Sequence, residues 1–199
     1  MSEPYVAIIA PFKTATTSLN TALFNLGIRS LKYHGFNDEL AQEYPPDKFT
    51  HVFLLVRDLT STYISAYFQD IENEHYLYYY GTKEEVLEAS VEELIDHFHS
   101  FDWRLFPHVN HDYFYECIQK YFEVELRKLR EDEKYYVVEN NGRFIVVLRT
   151  EFLDESISNI CSEVGLPMLN IEKHNNSVDK WYWKKYQEMK ERLFPSGER

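Results

Sequence analysis

Two short apolar runs, each leading through a polar stretch into a helix, constrain this chain most. Tyr5-Val6-Ala7-Ile8-Ile9-Ala10 and His51-Val52-Phe53-Leu54-Leu55-Val56 are β-rich and lack alternation, which suits strands buried on both faces. A hydroxyl-rich loop, Pro11 to Ser18, follows the first. The spacing of Leu19, Ala22, Leu23 and Leu26 then predicts a helix that ends near Gly27. Ile28 to Tyr33 reads as a second strand with His34-Gly35 just beyond it, and Leu59 to Ile71 as the helix after Arg57. Strand, loop, helix, strand, connection, strand, helix is the signature of an α/β fold with a parallel sheet.

The middle of the chain reads as helical from about Lys83 to Phe101 and again from about Asp112 to Leu129. Asn140-Asn141-Gly142 lies between two β-rich runs, Tyr135 to Val138 and Phe144 to Leu148. Asn-Gly in that setting predicts a hairpin. A helix–strand pattern ends at Gly165-Leu166-Pro167, and Lys180 to Leu193 reads as a polar terminal helix. With 199 residues, 44% of them hydrophobic, and only 6 Gly and 7 Pro, the chain reads as one globular domain over 1–199 rather than a disordered or low-complexity segment.

Charge narrows the partners. The net charge of −12 argues against non-specific binding to nucleic acid or to an anionic membrane. It is concentrated: residues 69–139 carry a net −11, against −1 for residues 1–68 and 0 for residues 140–199. The flanking segments are therefore neutral enough to hold an anion. Cys117 and Cys161 belong to no metal or redox spacing and read as buried thiols in a reducing cytosol. No basic residue precedes the first apolar run, and no stretch approaches the roughly 20 apolar residues of a membrane span. A cytoplasmic location and no membrane association are expected.

Chemistry concentrates at two strand ends. Pro11-Phe12-Lys13-Thr14-Ala15-Thr16-Thr17-Ser18 sits where a strand meets a helix, a junction that offers backbone N–H groups and the positive end of the helix dipole to an anion. Lys13 adds a charge and the hydroxyls add donors. Read alone, the loop serves equally as a Thr/Ser-rich helix cap with a solvated lysine. It lacks the Gly-Lys-[Ser/Thr] ending of a Walker A loop. Arg57 closes the third strand, at the edge where open α/β sheets bind ligands, and Ser65 follows eight residues later on the helix. Arg suits bidentate phosphate contacts; an ion pair with Asp58 or Glu151 is the alternative. The 8 His show no metal spacing, and His97 and His99 would point to different helix faces.

Together these stretches resemble the sulfotransferases that use 3′-phosphoadenosine 5′-phosphosulfate (PAPS). Lys13-Thr14-Ala15-Thr16-Thr17-Ser18 is similar to that family's Lys-Thr-Gly-Thr-Thr-Ser loop, with Ala15 in place of Gly. Arg57, Ser65 and Tyr67 match its 3′-phosphate motif. Ile145 to Leu153 resembles a later strand of the family, and Val164-Gly165-Leu166-Pro167 the turn beyond it. Asp179-Lys180-Trp181-Tyr182-Trp183 resembles the Asn-Lys-Trp-Tyr-Ser signature of capsular polysaccharide synthesis proteins on this fold. Residues 69–130 are matched only loosely.

The resemblance implies a P-loop-like, three-layer α/β/α fold with a central parallel sheet and a helical, acceptor-side insertion at about 69–134. It implies transfer of a sulfuryl group from PAPS, without a metal, to a hydroxyl of a carbohydrate or small molecule. Lys13, Thr14, Ala15, Thr16, Thr17 and Ser18 would hold the 5′-phosphosulfate, Arg57 and Ser65 the 3′-phosphate, and Lys13 would stabilise the leaving oxygen. His34 is expected as the base, since Lys32-Tyr33-His34 is similar to a Lys-Thr-His run of the family; His75, Glu72 and His111 are the other candidates. Lys32 would either assist Lys13 or remain a solvated lysine. The run Tyr76-Leu77-Tyr78-Tyr79-Tyr80-Gly81 reads either as a sugar platform or as packing surface. Two other functions remain open from the residues: a P-loop kinase, and a non-catalytic binding module that keeps the fold.

Overall fold

Every residue of Val6–Ala10 and of Val52–Leu55 is inaccessible to solvent, so the chain has to cover both faces of the sheet these runs build. In a computed structural model describing residues 5–11, 15–72, 82–100, 111–172 and 180–193, the sheet has five strands in the order β2-β1-β3-β5-β4. These are β1 (Tyr5–Ile9), β2 (Arg29–Tyr33), β3 (His51–Val56), β4 (Tyr135–Asn140) and β5 (Arg143–Arg149). β1 pairs in parallel with β2 and β3, and β3 with β5, whereas β4 is an antiparallel edge. The sheet is therefore mostly parallel. Its antiparallel member comes from the expected hairpin: Asn140 faces Arg143, and Asn141 and Gly142 have φ of 53° and 73°, the two positive values that a type I′ turn requires.

Strand alternation sends side chains to two cores. Val6, Ile8, Phe53, Leu55, Val146 and Leu148 meet helices α1 (Thr16–Asn25) and α7 (Leu153–Val164) on one face. Ala7, Ile9, Val52, Leu54, Ile145 and Val147 meet α6 (His111–Phe122) on the other, through Phe114, Cys117, Ile118 and Phe122. A short helix, α2 (Asp38–Glu43), lies in the connection to β3, capped by the Asn37 side chain accepting from the N–H of Leu40. His51 fastens the start of β3 to the far end of α7: its Nε2 donates to the Val164 carbonyl at 3.0 Å.

Contacts divide the chain into two compact units, residues 1–57 with 110–174, and residues 58–109 with 175–199. The first holds the sheet. The second holds α3 (Leu59–Glu72), α4 (Lys83–Glu88), α5 (Val91–Ser100) and α8 (Trp183–Leu193) around Ile64, Tyr67, Phe68, Leu94, Tyr182, Tyr186 and Met189. Asp58 caps α3 by accepting from the N–H and hydroxyl of Ser61, and the Lys190 ammonium donates to the same hydroxyl at 2.6 Å.

Three predicted boundaries move. The helix expected from Lys83 to Phe101 is two helices, α4 and α5, because Ser90 starts a new one: it accepts from Glu93 N–H while the Glu93 carboxylate accepts from Ser90 N–H. The helix expected to reach Leu129 stops at Phe122, where Glu123 turns to a φ of 53° and the Asn140 side chain donates to the carbonyls of Phe122 and Glu123. The helix expected after Ser18 begins earlier, at Thr16.

Candidate functional site

That early start shapes the site. Ala15 is the residue before α1 and takes a left-handed conformation, φ 54° and ψ 17°. This tight corner brings Thr16, Thr17 and Ser18 into the first helical turn, so they are not part of the preceding loop. The first amides of a helix have no partners within it. At α1 the capping position is an alanine, which has no side-chain acceptor, and the first turn contains no acid. By contrast, α2, α4, α5 and α7 all carry carboxylates in their first turns. A helix end of this kind can receive an anion.

β1 and β3 are neighbours whose chains leave in opposite directions. β1 continues through α1 to β2 on one side, while the strand after β3 in the parallel set, β5, lies on the other. At such a reversal open α/β sheets take ligands, at the carboxyl ends of the strands. The α1 N-terminus follows β1 at that edge. Arg57 follows the last residue of β3, and Arg149, in register with Val56, closes β5 at the same edge.

His34 follows β2 at that edge. The ladder continues one step past β1, with Ala10 N–H donating to Tyr33 carbonyl at 3.1 Å. The Ala10 carbonyl in turn accepts from His34 Nδ1 at 3.0 Å. A carbonyl only accepts, so Nδ1 carries the proton, and in the neutral ring Nε2 is the basic nitrogen. Gly35 comes next with φ 133°, a conformation that L side chains rarely adopt, and a Cβ there would lie 3.0 Å from the Tyr113 hydroxyl of α6. The chain after His34 therefore runs tight against a phenol. Burial and a hydrogen bond with Cys117 push the Tyr113 phenol up to about 12. Only tertiary packing brings Tyr113 here; the sequence's one sign is the glycine itself.

Of the expected residues, the sheet-bearing unit holds Ala15, Thr16, Thr17, Ser18, His34 and Arg57 on the carboxyl edge, with Thr16 and Ser18 buried and Arg57 half-buried. His111 opens α6 in the same unit. Ser65 and Tyr67 are buried on α3 of the other unit. Lys13, Thr14, His75, the Glu72 side chain, the Tyr76–Gly81 run and Asp179 lie outside the described residues. Lys32 is exposed on β2, an edge strand. Among the described residues no group of three or more His, Cys, Asp or Glu could hold a metal ion, and no helix is long and apolar enough to cross a membrane.

The arrangement can bind an anion at the α1 N-terminus and present an imidazole of fixed tautomer on a neighbouring strand end. Comparison with family models, with curated proteins and with solved structures finds no match to this chain.

Proposed function

We propose that this protein is a cytoplasmic sulfotransferase with a P-loop-like site, moving a sulfuryl group from PAPS to a hydroxyl of a carbohydrate or small molecule. One observation supports this reading above the others. An uncapped, acid-free helix N-terminus lies on the same sheet edge as a histidine whose Nδ1 is held by a backbone carbonyl. The sequence resemblance supplies the donor and the assignment of residues.

The donor would supply an activated sulfuryl group: an O–S bond to the acceptor would form as the S–O bond to the 5′-phosphate breaks, with adenosine 3′,5′-bisphosphate as the leaving group. The chain contributes the rest. Backbone amides of Ala15 to Ser18, with the Thr16, Thr17 and Ser18 hydroxyls, hold the 5′ end. Lys13 and Thr14 belong to the same loop by resemblance, and Lys13 stabilises the charge that grows on the leaving oxygen. Arg57 and Ser65 are assigned to the 3′-phosphate. His34 accepts the acceptor's proton at Nε2 while Nδ1 stays on Ala10. The stretch at about 69–134 is assigned to acceptor recognition.

The test is calorimetric titration with adenosine 3′,5′-bisphosphate, beside ATP with Mg²⁺. Metal-independent binding of the bisphosphate, lost in Arg57→Ala, is the expected result. Binding of Mg-ATP alone selects a kinase. Binding of neither leaves a module that keeps the fold without the chemistry.

A further inference from the structure

Arg149 closes β5 with a positive charge that no acid among the described residues neutralises. It is half-buried, and its Nε is buried with no hydrogen-bond partner among those residues. One acceptor meets the guanidinium, the Arg130 carbonyl, which takes a surface bond from Nη2 at 2.8 Å. A carbonyl supplies a dipole and no counter-charge. The acids of the neighbouring segments serve other cations: Glu133 is paired with Arg127 and Arg130, and Glu155 with Lys134. Arg143, at the other end of the same strand, is half-buried as well. Its guanidinium, however, lies over the Phe122 ring, 5.2 Å from the centroid, and within the fields of Asp47 and Glu123. Arg149 has no such compensation.

An arginine partly withdrawn from water without a counter-charge is unfavourable for the fold. Proteins keep such a group where a ligand brings the missing charge. Its place agrees with that. Arg149 ends its strand on the carboxyl edge, in register with Val56 and so beside Arg57. Strand alternation puts it with Ile145 and Val147 on the face that α6 covers. The first turn of α6 lies at the same edge, since Tyr113 meets Gly35 there, whereas Phe122 at the far end meets Asn140. β1, β3 and β5 are consecutive in the sheet. A ligand seated on the α1 N-terminus and lying over Arg57 therefore comes next to Arg149, two strand spacings or about 10 Å from β1.

We infer that Arg149 is a ligand residue that binds a phosphate or sulfate group and, resting on the proposed function, that this group is the donor's 3′-phosphate. Two oxygens of such a group accept together from one guanidinium and bring the charge that Arg149 lacks. Arg57 and Arg149 then share one dianion from two neighbouring strands. A phosphate or sulfate on the acceptor offers the same chemistry, and a pair of nucleotides separates the two sources.

Phenylglyoxal, which modifies guanidinium groups, tests the site on the unaltered protein, with peptide mapping to read Arg149. The residue is expected to react in chloride and to be protected several-fold by inorganic phosphate at equal ionic strength. An Arg149 that does not react, or that phosphate leaves as reactive as before, overturns the proposal. Calorimetry of Arg149→Gln, which removes the charge and keeps a donor for the Arg130 carbonyl, assigns the group. This variant is expected to bind adenosine 3′,5′-bisphosphate at least about tenfold more weakly than the parent, and adenosine 5′-phosphate within about twofold of it. Unchanged bisphosphate affinity, or equal losses for both nucleotides, overturns the assignment to the 3′-phosphate. Should the variant not fold, protection of the parent's Arg149 by the bisphosphate and not by the 5′-phosphate reads the same difference. The two proposals fail separately. A parent that binds no bisphosphate while inorganic phosphate protects Arg149 removes the sulfotransferase and leaves the anion site. Bisphosphate bound with Arg149 still fully reactive removes the anion site and leaves the sulfotransferase.

Discussion

His34 Nδ1 lies 3.0 Å from the carbonyl oxygen of Ala10, so one ring nitrogen ties the end of β2 to the end of β1. The contact does two jobs that substitutions can separate. His34→Asn places an amide donor where Nδ1 stood and has no basic nitrogen, whereas His34→Ala loses both donor and base. If His34 is the base, both variants lower turnover with PAPS by about 10²–10⁴-fold. Bisphosphate affinity is then unchanged in His34→Asn and weakened only in His34→Ala, through the slackened loop. Turnover restored in His34→Asn would show that the contact, and not the base, matters.

Ala15 stands at φ 54°, where a Cβ is strained and glycine is not. Ala15→Gly is expected to stabilise the fold by about 1 kcal/mol, the relief of one left-handed residue less the entropy glycine adds to the unfolded chain. Urea denaturation measures it. The Ala15 side chain packs against the core beside α1; if it also limits phosphate approach to the α1 amides, the same change is expected to tighten bisphosphate binding. Ala15→Val moves both quantities the other way.

The α/β alternation was legible because β1 and β3 are continuous apolar runs that only a doubly covered sheet accepts, and the hairpin because Asn-Gly has few other uses. The end of α6 was not legible. Nothing near Phe122 breaks a helix; the stop comes from the Asn140 side chain 18 residues on, donating to the Phe122 carbonyl. The break between α4 and α5 did have a local sign, the Ser90-x-x-Glu93 box, but the apolar spacing runs straight through it. At the site, strand ends could be placed from the sequence, and with them His34 and Arg57. The corner at Ala15 and the approach of Tyr113 to Gly35 depend on backbone torsion and on packing between distant segments, which residue patterns do not encode.

Gly35 permits that approach. A methyl group there meets the Tyr113 hydroxyl at 3.0 Å, and φ is 133°, so Gly35→Ala is strained in both space and torsion. The loss of stability is expected to exceed about 1 kcal/mol. Pairing the substitution with Tyr113→Phe removes the oxygen that the methyl group strikes and is expected to restore part of the loss. If Tyr113→Phe restores none of it, the torsion alone is responsible.

His51 gives the fold a built-in acid sensitivity. Burial pushes its pKa below the ordinary 6.5, and the hydrogen bond to the Val164 carbonyl, acting the other way, is the smaller effect. Between the folded value and about 6.5 the unfolded chain therefore binds more protons than the folded one, and stability rises with pH. The contribution is complete above about pH 6.5 and is lost as pH falls through the unfolded value towards the folded one. His97, half-buried beside the Tyr67 hydroxyl, shifts in the same direction by desolvation. Urea midpoints taken from pH 8 to pH 5 are expected to be flat at first and then to fall, with a slope of up to about 1.4 kcal/mol per pH unit for each histidine. His51→Gln keeps a donor for Val164 and cannot titrate, so it is expected to remove one histidine's share of that slope while leaving the stability at pH 8 nearly unchanged. An unaltered slope in His51→Gln would place the acid sensitivity elsewhere.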